Sequence, residues 1–132
     1  MAIKITSFLP QEEKANIIEE PLCLQDNGVY WYLYPHFLTL HKRTGEMIDL
    51  YGIARFAGDA LLELDGTLAE LIKTTSSQPN EWDQLVGKVI KPGDRVLYER
   101  VVKSKVLDII SLLENITNEG IKNNAVIVFE GL

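Results

Sequence analysis

Lys91-Pro92-Gly93-Asp94 separates two runs with strand character, residues 82–90 and 95–102. Proline at the second position and glycine at the third match a type II turn, whose third residue needs a positive φ. The segment therefore reads as a β-hairpin over about 83–102. Directly after it, Val106, Ile109, Ile110, Leu113 and Ile116 recur at helical spacing. Residues 105–118 read as an amphipathic helix, with Ser104 as its N-cap and Gly120 ending it. Ala125-Val126-Ile127-Val128-Phe129 is apolar throughout, the mark of an interior strand covered on both faces. On that reading an aspartate at position 126 or 128 unfolds the chain. Hairpin, helix and strand in one run define an α+β fold.

The rest of the sequence extends this pattern. Ile3 and Ile5 alternate with Lys4 and Thr6, as in a half-buried strand, and Pro10 opens a short acidic helix that Pro21 stops. Leu61, Leu64, Leu68, Leu71 and Ile72 form the stripe of a second amphipathic helix, 59–75, which Gly58 or Asp59 can cap. Gly66 inside it costs about 1 kcal/mol relative to alanine, which implies close packing or an irregularity there. Asn27-Gly28 is a turn signal, and the aromatic run 29–34 after it has strand propensity. Residues 35–45 fit either a hairpin or a helix ended by Gly45; basic residues in the last turn favour the helix. Residues 46–51 read as extended, with Ile48 and Leu50 on one side. The 132 residues suffice for one domain, spanning 1–132, with a mostly antiparallel or mixed sheet and two main helices.

Thirteen basic against nineteen acidic residues give a net charge of −6, with a pI of about 4.9 and a mean hydropathy of +0.01. That balance disfavours nucleic acid, whose phosphates call for Lys and Arg, and an anionic membrane surface. No window approaches a spanning helix, and the first residues lack a leader pattern, so the expectation is a cytoplasmic protein. Cys23 is the single cysteine, so no internal disulfide forms.

Catalytic signatures are absent from the sequence. His36 and His41 are five apart, which suits neither one helix face nor alternate strand positions. Cys23 sits in Pro21-Leu22-Cys23-Leu24, an apolar setting that raises a thiol's pKa. Asp49, Asp59 and Asp65 are carboxylates whose mutual distances nothing in the sequence fixes. Gly87-Lys88 lacks the rest of a phosphate-loop motif. The expectation is no cofactor, no metal and no catalytic residue.

Two surface features remain. As a strand, residues 29–34 would put Tyr30, Tyr32 and Tyr34 on one face, a contact surface rich in buriable area. Residues 46–83 hold eight acids and two bases, net −6, whereas 88–105 hold six bases and two acids, net +4. In size, acidity and lack of a catalytic motif the chain is similar to small acidic bacterial immunity and inhibitor proteins. That resemblance implies a protein that covers the cationic site of a toxin or enzyme. The sequence thus points to a non-enzymatic domain binding a cationic protein through Tyr30, Tyr32, Tyr34, Asp49, Glu63, Asp65 and Glu70. A small-ligand-binding or minor enzymatic domain and a homo-oligomeric structural subunit are the alternatives, with the chain a monomer or a homodimer.

Overall fold

The computed structural model describes residues 2–8, 22–89 and 95–131. The short helix expected after Pro10 and the turn at 91–94 lie outside the described residues. The chain is α+β. Four strands form one antiparallel sheet: β1 (Ala2–Phe8), β2 (Leu22–Gln25), β3 (Ile53–Phe56) and β6 (Val126–Gly131), in the order β2-β1-β6-β3. β4 (Glu81–Val89) and β5 (Arg95–Val102) pair separately as the expected hairpin. The helices are α1 (Gly28–Thr44), α2 (Asp59–Ser76) and α3 (Lys103–Asn123).

One face of the four-stranded sheet carries Ile3, Ile5, Ala54, Phe56, Ile127 and Phe129, all buried against the helices. The alternation predicted for residues 3–8 is the cause on β1. β6 is an interior strand, as expected, but its two faces differ. Ile127 and Phe129 are buried, while Val126 and Val128 on the outer face are only half-buried.

The largest correction is α1. Residues 29–34 are helical, and Pro35 lies inside the helix instead of starting it. Asn27 caps the helix: its Oδ1 accepts from the backbone N–H groups of Val29 (3.0 Å) and Tyr30 (3.4 Å). Tyr30, Leu33, Phe37 and Leu40 then fall on one buried stripe, and that burial overrides the strand propensity of single residues. Pro35 is exposed, so its missing N–H and its ring act on the solvent side. Gly45 ends the helix at φ 79°, a left-handed position that suits glycine.

Both other helices are longer than their stripes suggested. α3 starts at Lys103 with no side-chain cap, so Ser104 is not the N-cap. The chain passes straight from β5 into helix there, and the Lys103 N–H is taken by the Asn80 carbonyl at 2.8 Å. Gly120 does not end α3 either. It is buried where a Cβ would stand 3.0 Å from Ile127 Cδ1, so it lets the helix approach β6. The left-handed residue is Asn124, φ 54°. Residues 46–51 form no strand; Ile48 and Leu50 are buried, from an irregular segment.

Candidate functional site

α1 and α2 run antiparallel. Tyr32 meets Thr75 through a 3.0 Å hydroxyl hydrogen bond, and Arg43 faces Glu63 at 3.8 Å, so numbers rise on one helix as they fall on the other. With about 3.6 residues per turn, Asp59, Glu63, Gly66 and Glu70 follow steps of four, three and four along one exposed line of α2. Nothing lies within 4 Å of the place a Gly66 Cβ would take, so the close packing expected there is absent. The backbone is bare between two carboxylates. Arg43 is half-exposed and its 3.8 Å contact with Glu63 is weak in water. His36, half-buried on α1, is pushed below its ordinary pKa by burial, against an opposing effect of Glu70.

Asp65 lies off this line, half-buried toward α3. There it meets Glu114, whose Oε1 is buried without a partner. Burial, then a hydrogen bond that the protonated Glu114 carboxyl donates to the Asp65 carboxylate, and the Asp65 charge, push Glu114 up to about 7. Because the folded pKa exceeds the ordinary 4.5, the protonated form stabilises the fold fully below pH 4.5, and this is lost as pH rises through about 7. Glu114→Gln is therefore expected to flatten the stability decline across that window and to raise Tm at pH 8. Each kcal/mol recovered is worth roughly 3–5 °C in a chain of this size. Thermal melts from pH 4 to 8 check it; a variant tracking wild type throughout would place the proton elsewhere.

The tyrosine row does not exist. On a helix Tyr30, Tyr32 and Tyr34 diverge, and Tyr30 is 2% exposed with its hydroxyl donating to the Ile48 carbonyl at 3.1 Å. Burial and then Asp49 push its phenol well above the ordinary tyrosine range. Trp31 is half-buried beside Tyr34 at 5.3 Å, and Tyr32 packs on Trp82 at 4.9 Å. These rings hold α1 to its neighbours. Asp49 Oδ1 accepts from the Tyr51 N–H at 2.9 Å, a turn contact away from the α2 line.

His36 and His41 stand on different sides of α1, and Cys23 is half-buried on β2 opposite Lys4. Among the described residues no three His, Cys, Asp or Glu side chains converge as a metal site, and no helix is long and apolar enough to cross a membrane. A cleft of about 210 Å³ opens between Gly58 at the start of α2 and Asn124 at the end of α3. It is smaller than the roughly 300–1,000 Å³ of small-molecule sites.

The hairpin is the feature that sequence reading under-valued. Leu85, Val96 and Tyr98 are 50%, 48% and 62% exposed. Its base packs on the body, where Gly28 lies against Val101 and Trp82 against Tyr32. Comparisons with protein-family models, curated proteins and solved structures found no match.

Proposed function

We propose that this chain is a non-enzymatic, cytoplasmic protein-binding domain that takes a cationic protein along the Asp59–Glu63–Gly66–Glu70 line of α2. An inhibitor or immunity protein for a basic toxin or enzyme is the form this reading takes. Gly66 carries it. A glycine in a helix interior costs about 1 kcal/mol relative to alanine, and the fold itself gains nothing from this one, since no atom approaches it. An occupant does gain: a lysine or arginine side chain can lie on the bare backbone between Glu63 and Glu70. Exposed like charges also speed encounter with a basic surface.

The reading makes Gly66→Ala act in opposite directions on stability and binding. Alone, the variant is expected to be more stable by about 0.5–1 kcal/mol. Its affinity for the partner is expected to fall, because a methyl group fills the contact. Glu63→Lys with Glu70→Lys should slow association, with the difference shrinking as salt rises. Wild-type chain as bait in its native lysate supplies the partner, and binding kinetics at two salt concentrations supply the comparison. Wild-type affinity in both variants would remove α2 as the contact surface.

A further inference from the structure

We propose that Arg43 is an internal competitor for the acidic line of α2, an autoinhibitory contact that an arriving cation displaces from Glu63. The inference rests on the reading of that line as the surface for a cationic protein. On α1, His36 and Arg43 stand seven residues apart, and on the antiparallel α2 so do Glu63 and Glu70. Seven residues are about two helical turns, so each carboxylate of the line is met by one group of α1. Glu70 acts on His36, a half-buried ring whose pKa burial lowers. Glu63 faces Arg43 at 3.8 Å. An arginine keeps its charge across the physiological pH range, so the Glu63 end of the line has a permanent cation beside it.

That contact is one an outside cation can replace. Arg100 holds Glu81 and Asp83 by hydrogen bonds of 2.8 Å, whereas 3.8 Å is beyond hydrogen-bond reach. The Arg43 and Glu63 side chains are 53% and 47% exposed, so water competes for both. A lysine or arginine of a partner that hydrogen-bonds Glu63 therefore gives the carboxylate a better contact than Arg43 does. Arg43 acts against such a partner twice. It takes up the Glu63 charge, and as a like charge beside the line it opposes the approach of a second cation.

The probe is an oligolysine peptide, titrated into the full chain and its variants at low salt. Arg43→Gln is expected to bind it about twofold to fivefold more tightly than wild type. Fivefold corresponds to about 1 kcal/mol, the upper end for an exposed ion pair. Lys42→Gln removes the same charge one residue away, turned about 100° around α1, and should gain less than half as much. In a Glu63→Gln background, Arg43→Gln should gain no more than Lys42→Gln does, because the contact it releases is already gone. Equal gains at positions 42 and 43 overturn the proposal, since net charge then explains both. So does an excess gain that survives Glu63→Gln, or equal binding by wild type and Arg43→Gln, absence of binding included. Gly66→Ala tells the two readings apart. If it weakens binding while Arg43→Gln changes nothing, the acidic line stands without its competitor; if it binds as wild type does, the line fails and the competitor with it.

Discussion

Ile127→Asp is expected to yield a chain that does not fold. Ile127 is fully buried near the start of β6, opposite Ser7 on β1 and Phe56 on β3, with Gly120 of α3 held close over it. An aspartate there has a core of apolar side chains around it. Leaving a charge unpaired in such a place costs several kcal/mol, a large part of the roughly 5–15 kcal/mol that holds a domain together. Val128→Asp, one residue on, should behave differently. Val128 is half-buried on the outer face, and its cross-strand neighbour is Arg55, an exposed cation. That variant is expected to fold, with a loss of no more than about 2 kcal/mol. Circular dichroism and urea melts of the two variants side by side decide the matter. Equal behaviour would mean that the two faces of β6 are equally covered, as the unbroken apolar run implied. The alternation of burial along β6 is invisible in that run, because what covers each face comes from remote parts of the chain.

The same division between local and remote information explains the rest. α2 and α3 were legible because their stripes repeat over about three turns, and the hairpin because residues 82–102 include a turn signal. The helix period alone placed Glu63 and Glu70 off the apolar stripe. What Asp65 meets was not legible, since Glu114 stands on α3, remote in the chain. β2 escaped notice: four residues are too few to show an alternation, and they acquire strand structure by pairing with β1. In α1 the spacing of Tyr30, Leu33, Phe37 and Leu40 was present in the sequence, but Pro35 and six residues of high β propensity masked it. Burial on one stripe outweighed both, and the tyrosines expected to meet a partner became packing and hydrogen-bonding residues instead. The exposed apolar side chains of the hairpin were equally unreadable, because a strand's pattern does not say whether anything packs on it.

Gly131→Ala is expected to be the most damaging single-methyl change on the surface of the sheet. The end of β6 runs against the turn at residues 50–52, where the Gly131 N–H donates to the Gly52 carbonyl at 2.8 Å. A Cβ on residue 131 would overlap the Leu50 carbonyl group and stand 2.7 Å from the Tyr51 nitrogen. Those are backbone atoms, which cannot rotate away as a side chain can. Leu50 is 4% exposed and its neighbour Ile48 1%, so moving the turn drags two core residues with it. Overpacking in a core costs about 1–3 kcal/mol when side chains can adjust; here they cannot, and a loss of about 3 kcal/mol or more is expected. At roughly 3–5 °C per kcal/mol that lowers Tm by roughly 10–15 °C. Gly28→Ala is the control. Its Cβ would come 2.6 Å from Val101 Cγ2, the tip of a side chain at the base of the hairpin, and a rotation of Val101 relieves part of the clash. The expected order is therefore Gly131→Ala well below Gly28→Ala, with both below wild type in thermal and urea unfolding. A Gly131→Ala chain within about 0.5 kcal/mol of wild type would show that the 50–52 turn is free to move, and that β6 is not clamped at this end.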